Sequence, residues 1–271
     1  MMSKQVSREL GRSATQSELD HFFDYFEILP VKTDEMLDAV FRLRYQVYCL
    51  EHPFENPQQC YRGLERDIYD SRSVHCLIRH KRTGWDAATV RLVLPMDGSE
   101  FSLLPIEQHC GTSLANYGYR VSSQTRKTAA EISRFAVSRE FRRRIGEQNV
   151  HHGITNKAVQ QLDEGPMSNE RRYLPYITLG LFRSIVQMSA DQGIDNWFAV
   201  MEPMLLRLLK RFGIEFMRIG TDVEYHGKRV PVFNSVEEVL LGIQHLRPEV
   251  YHFITNGECY WHPPRSCVNH V

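Results

Sequence analysis

The sequence carries no surplus of either charge: 33 Lys and Arg balance 33 Asp and Glu. A global polyanion-binding surface is therefore excluded, no nucleic-acid partner is expected, and any electrostatic partner must meet a local patch. No apolar run approaches the ~20 residues needed to cross a bilayer. Residues 1–15 are polar, without the apolar stretch of a signal peptide, so a cytoplasmic protein is the expectation. Cysteine is sparse: Cys49, Cys60, Cys76, Cys110, Cys259 and Cys267 are scattered along 271 residues, a usage that reads as free thiols rather than a disulfide framework. There is no internal repeat or low-complexity tract. Also missing are a phosphate-cradling Walker loop, a G-x-G-x-x-G turn, an H-E-x-x-H helix and a G-x-S-x-G elbow. Kinase, dehydrogenase, zincin and serine-hydrolase readings thereby lose their main support.

What is present suffices for a folded chain. Apolar residues make up 42% and charged residues 24%, which disfavours disorder, and a chain of this length buries roughly three quarters of its unfolded surface without staples. Thr15 and Glu18 have capping-box spacing, and Leu19, Phe22, Phe23 and Phe26 follow at helical spacing, predicting a helix over 16–27. A second helix begins near Thr33 and Asp34 and sets Leu37, Val40, Phe41, Arg44 and Tyr48 on one face. Strands are predicted at 73–79, 87–95 and 131–138. A polar, weakly patterned stretch over 147–172 reads as a surface insertion. Beyond it come a helix over 175–191 ended by Gly193, a strand at 197–201 and a helix opened by Pro203 and closed by Gly213. Strands near 214–220 and 228–233 and a helix over 236–245 complete the chain. The order predicts a single α/β (α+β) domain over 1–271 with a mixed sheet.

Arg44 interrupts an apolar stripe, and a buried guanidinium needs an anionic partner. The segment 61–70, YRGLERDIYD, holds Glu65, Asp67 and Asp70. Either Arg44 pairs with Asp67 or Asp70, or it snorkels to water beside an ordinary solvated turn. In the strand around 131–137, alternation puts Glu131, Ser133, Phe135 and Val137 on one face and Arg134 on the other. A glutamate among apolar neighbours has a raised pKa and serves as a general base; the plainer reading is a salt bridge at a strand start. Arg139, Arg142, Arg143 and Arg144, followed by Gly146, form a basic patch suited to phosphate or to an acidic carrier surface, or simply a solvated face. Cys259, His262, Cys267 and His270 are competent zinc ligands, but their central spacing is short and Pro263 and Pro264 stiffen it, so an unligated tail is expected.

Four blocks in order carry a resemblance: Leu43-Arg44-Tyr45-Gln46-Val47-Tyr48, Glu65-Arg66-Asp67-Ile68-Tyr69-Asp70, Val90-Arg91-Leu92-Val93-Leu94-Pro95 and Glu131-Ile132-Ser133-Arg134-Phe135-Ala136-Val137. Together they resemble the acyl-homoserine-lactone synthases and, more nearly, the acyltransferases associated with the PEP-CTERM/exosortase system, which are similar to N-acyl amino acid synthases. The resemblance implies a GNAT-like fold, a mixed and mostly antiparallel sheet splayed between its central strands. It implies an acyl carrier protein donor bearing a phosphopantetheine thioester, no bound cofactor, and an amine acceptor. By carry-over, Arg44, Asp67, Asp70 and Arg91 belong to the charged cluster on the acceptor side, while Glu131 and Arg134 match the pair beside the thioester, with Phe135 next to them. Phe54 stands near the position where the lactone synthases carry a tryptophan, which disfavours S-adenosylmethionine as acceptor. Arg143 and Gly146 match half of a GNAT pyrophosphate loop.

The expected activity is transfer of a medium or long acyl chain from acyl carrier protein to the amine of an amino acid. Glu131 acts as base, Arg134 or Arg91 grips the acceptor carboxylate, and the stripes Ile177/Leu181/Ile185 and Phe22/Phe23/Phe26 are candidates for an acyl tunnel. The alternatives are a homoserine lactone synthase using S-adenosylmethionine and a non-catalytic carrier- or lipid-binding relative. Peripheral membrane contact through a lipid product is a further expectation of the catalytic readings.

Overall fold

The computed structural model describes residues 19, 21–52, 54–96, 103–142, 173–225 and 227–262. Eight strands form one sheet: β1 (Phe26–Pro30), β2 (Ser73–His80), β3 (Asp86–Val93), β4 (Ala129–Val137), β5 (Asn196–Met201), β6 (Met217–Arg218), β7 (Val223–Glu224) and β8 (Lys228–Ser235). Their order is β1-β2-β3-β4-β5-β8-β6, with β7 also on β8. Every neighbouring pair is antiparallel except β4 and β5. The helices are α1 (Phe22–Tyr25), α2 (Asp34–Tyr45), α3 (Pro105–Asn116), α4 (Ser123–Lys127), α5 (Arg139–Arg142), α6 (Tyr173–Gln192), α7 (Pro203–Arg211), α8 (Val236–Leu246) and α9 (Pro248–Ile254). None is long and apolar enough to span a membrane among the described residues.

The two faces of the sheet take alternate residues. Along β3, Ala88, Val90 and Leu92 join α6 residues Ile177, Leu181, Phe182 and Ile185 in the main core. Each such fully buried Val, Leu, Ile or Phe side chain contributes about 1.5–3 kcal/mol relative to exposure. Gly180 permits this approach, because a Cβ there would lie 2.7 Å from the Phe22 ring. The opposite face is covered twice. The end of α2 packs Val40, Phe41 and Leu43 on Leu77 and Ala136, and α3 packs Ile106, Cys110 and Leu114 on Val93, Ala129 and Phe198. Between these two lids Arg91 lies midway between Thr89 and Val93 on the same face, and the polar site fills that gap.

Several expectations need correcting. Phe26 does not continue a helix over 16–27: it opens β1, where its backbone pairs with His80; residues 1–18 and 20 are outside the described set. The strand predicted near 214–220 shortens to Met217–Arg218. Helix α3 was not foreseen, although Pro105 at its first turn and the spacing of Ile106, Cys110 and Leu114 signal it. The insertion over 147–172 lies outside the described residues.

Candidate active site

Helix α2 is capped by Thr33, whose hydroxyl accepts the Met36 N–H at 3.3 Å. Its last turn delivers Arg44, fully buried at 0% exposure. The guanidinium is held by three carboxylates of the following loop. Nε donates to Glu65, Nη1 donates to Asp70 at 2.6 Å, and Asp67 lies 4.0 Å from Nη2. Arg44 therefore pairs rather than snorkels, with Glu65 and Asp70 as its near partners. Arg91 donates to Asp67 at 2.5 Å, to Asp70 at 2.7 Å and to Ser133 Oγ at 3.0 Å. Arg134 reaches Glu65 at 2.9 Å and Asp67 at 3.0 Å. Three arginines and three carboxylates thus interlock in one buried lattice.

Burial alone would raise the Glu65 pKa, but the Arg134 and Arg44 charges outweigh it and hold the carboxyl at about 2. Asp70 is likewise pushed up by burial and pulled well below the usual carboxylate range by Arg44 and Arg91. His75, beneath them and 3.8 Å from Asp70, is driven down to about 4 by burial and by Arg44, so it stays neutral.

A backbone irregularity decides which side chains face this lattice. Arg91 pairs with Ser133 and Thr89 with Ala136, so two residues of β4, Arg134 and Phe135, oppose one of β3. Arg134 adopts φ +49, a left-handed conformation that accommodates such a bulge. The alternation shifts there. Glu131 and Ser133 lie on the lattice face and Arg134 joins them, whereas Phe135 and Val137 turn into the apolar core with α6. The expected sharing of one face by Glu131, Phe135 and Val137 is therefore overturned, as is the placement of Arg134 on the other face. Glu131 keeps the predicted environment by another route. It is 3% exposed, its carboxylate accepts the Ile106 N–H of α3 at 2.6 Å, and burial pushes its pKa up to about 8 against the pull of that N–H and of Arg91.

β4 and β5 pair only as far as Ile132 and Ala199. Beyond that point a cleft with a cavity volume of about 100 Å³ opens between them. Glu131, Ser133, Arg134 and Phe135 line it from β4, and Val200 and Met201 from β5. Tyr48, Asp67 and Arg91 complete one side, and His109, Tyr225 and Arg229 the other. The Tyr48 ring lies 5.5 Å under the Arg134 guanidinium, its hydroxyl donating to the Phe135 carbonyl at 3.3 Å. Glu131 and the lattice built on Arg44, Asp67 and Asp70 thus share one cavity.

The fold is GNAT-like. Residues 43–150 match the acetyltransferase (GNAT) domain family. The AHL synthase LasI superposes with a TM-score of 0.53 at 16% identity, over 81% of this chain and 94% of LasI. A CoA-dependent acyl-homoserine lactone synthase, BjaI, solved with SAM and isopentyl-CoA, gives 0.52 at 16% identity over 83% and 89%. FeeM, an N-acyl amino acid synthase from uncultured soil microbes, gives 0.48 at 14% identity over 80% and 93%. No curated protein matches at the level of sequence. At such identities the first two likenesses establish a shared GNAT architecture.

Other expected site residues fall elsewhere. Phe54 packs beside His52, 6.0 Å between ring centres, and does not line the cleft. Arg142 is buried and bonded to Glu51 and, at 2.6 Å, to His52, so it is no docking surface; Arg139 is exposed. Arg143, Arg144 and Gly146 lie outside the described residues, as do Cys267 and His270, expected beside Cys259 and His262. The two proposed tunnel stripes miss the cleft: Phe22, Phe26, Ile177, Leu181 and Ile185 sit in the main core, and Phe23 is exposed. Sequence reasoning missed Ile106, His109, Tyr225 and Arg229. Only Ile106 and His109 carried a local signal, through the helix that presents both.

Proposed function

We propose that this protein is an N-acyltransferase that moves an acyl chain from a thioester to the amine of an amino acid. The observation that carries the reading is Glu131: a carboxyl with a pKa near 8, buried at the mouth of a cleft that two parting central strands open. A carboxylate of that basicity takes a proton from the acceptor ammonium near neutral pH. The freed amine then attacks the thioester carbonyl, the C–N bond forms, the C–S bond breaks, the second nitrogen proton leaves with the thiolate, and Glu131 releases the first to solvent. The interlocked lattice of Arg44, Glu65, Asp67, Asp70 and Arg91 holds β4 and the acceptor wall rigid, which supports attack geometry. The donor we favour is acyl carrier protein, a choice that rests on the basic residues Arg139, Arg143 and Arg144 and on the exosortase-associated resemblance. A carrier-linked substrate also fits a cytoplasmic enzyme.

The test incubates purified protein with palmitoyl-acyl carrier protein or palmitoyl-CoA and a mixture of the twenty amino acids, reading free thiol and product mass. Release with an N-acyl amino acid product, lost in Glu131→Gln, supports the proposal. Release only with S-adenosylmethionine and a lactone product would replace the acceptor. No release with either donor would leave a binding protein.

A further inference from the structure

Of the arginines that line the cleft, all but one are already matched to carboxylates of the chain. Arg91 and Arg134, expected to grip an acceptor carboxylate, bind Asp67, Asp70 and Glu65 instead. Arg229 differs. It is 6% exposed, its only hydrogen bond runs from Nη1 to the carbonyl of its neighbour Lys228 at 3.2 Å, and no carboxylate lies within ion-pair distance among the described residues. A guanidinium has five N–H donors and stays charged, and leaving such a charge in a dry site without an anion is costly. Burial depresses its pKa, and Glu202 opposes that only through space.

The placement is specific. On β8, Val230 and Val232 join the apolar core, so alternation sends Arg229 to the face that bears Glu131. Val230 pairs with Met201 at the end of β5, beyond the point where β4 has left, and both Arg229 and Glu131 line the cleft. The site therefore presents a proton acceptor on one wall and an uncommitted cation on the other.

We infer that Arg229 is the carboxylate seat of the acceptor, holding an amino acid by its α-carboxylate while the amine faces Glu131; this rests on the function proposed above. Arg229 acts by recognition, selecting amino acids over simple amines. The same anion chemistry could come from a phosphate of the donor arm, and the experiment separates the two sources.

The test compares wild type, Arg229→Gln and Arg229→Lys, each checked for an unchanged urea midpoint. The best amino acid from the mixture and its decarboxylated amine are assayed with one saturating donor. Coenzyme A, phosphopantetheine and the same amino acid are separately titrated by calorimetry, without turnover. Wild type should prefer the amino acid, and Arg229→Gln should raise its KM by about 10–100-fold, the equivalent of one charge-assisted bond. The KM for the amine and the affinity for coenzyme A should stay within twofold, and Arg229→Lys should recover part of the loss. A preference that survives in Arg229→Gln overturns the inference while leaving N-acyl transfer intact. Weakened coenzyme A and phosphopantetheine binding with an unaltered amino acid overturns it in favour of the donor phosphate. Should wild type transfer nothing, the function proposed above fails and calorimetry with each of the twenty amino acids decides the seat alone: an affinity for any of them that falls at least tenfold in Arg229→Gln sustains it, and equal or absent binding refutes it.

Discussion

On one face of the sheet, Ile177, Leu181, Phe182 and Ile185 of α6 press on Val90, Leu92 and Ile132; on the other, Arg44, Arg91, Arg134, Glu65, Asp67 and Asp70 fill the gap between two helical lids. The first face gains its stability from area removed from water and tolerates any shape that fills it. The second gains little net energy from its charges, because desolvation offsets their attraction, yet it penalises the loss of any one partner heavily. The contrast separates what keeps the chain folded from what keeps a cavity in shape, and mutations can set the two apart.

The largest effect falls on the polar face. Glu131→Gln should lower kcat by about 10²–10⁴ while the acceptor KM changes little, since it removes a base rather than a contact. In wild type the rate should rise with pH through about 8, where Glu131 loses its proton, and level off above. Stability should run the other way. A folded-state pKa raised from 4.5 to about 8 is fully accommodated below pH 4.5, and its benefit is lost as pH climbs through 8, a change of about 5 kcal/mol. Urea midpoints of Glu131→Gln should exceed wild type at pH 9 and match it at pH 4.5; equal midpoints at pH 9 would mean that the carboxyl is not desolvated.

Glu65→Ala comes next, with an expected loss of about 3–5 kcal/mol in urea unfolding, because Arg44 and Arg134 stay buried with fewer anions. Here the pKa is held down at about 2, so the stability it contributes is present above the ordinary carboxylate value and drains away as pH falls from about 4.5 toward 2. Acid titration of wild type should show that loss, and Glu65→Ala should flatten it. Ile185→Ala, on the apolar face, should cost about 2–5 kcal/mol yet leave kcat and both KM values near wild type at a temperature where the variant is folded. A changed KM there would dissolve the division between the faces. Smallest is Thr33→Ala, which removes the cap of α2 for about 1 kcal/mol, read as a Tm shift with catalysis unaltered.

Much of the architecture was legible because periodicity reports burial. The strands at 73–80, 86–93, 129–137 and 196–201 follow alternating or wholly apolar runs, and α6 and α7 follow clean helical stripes closed by Gly193 and Gly213, both at positive φ. The charged residues Arg44, Asp67, Asp70, Arg91 and Glu131 were also legible as a group, since ionic side chains in apolar contexts demand partners. Three things were not. The bulge at Arg134 leaves no compositional trace, so alternation misassigned Phe135 and Val137. Glu65 was visible as a carboxylate, but only the fold of its loop decides that it, rather than Asp67, binds Arg44 Nε. Arg229, His109 and Tyr225 reach the cleft from elements outside the four blocks that carry the resemblance, and nothing in the sequence marks their side chains as facing a cleft.

The extra residue at Arg134 has a consequence for how this strand tolerates change. Substitution tolerance along 129–137 should oscillate with a period of two on either side of that position, yet the two oscillations should be out of phase by one. Deleting Arg134 would bring them back into step with Phe135 and Val137 still turned toward α6, whereas straightening the strand with every residue kept would swing both to the lattice face, so one amino acid of slack is what allows a single strand to serve two unlike surroundings.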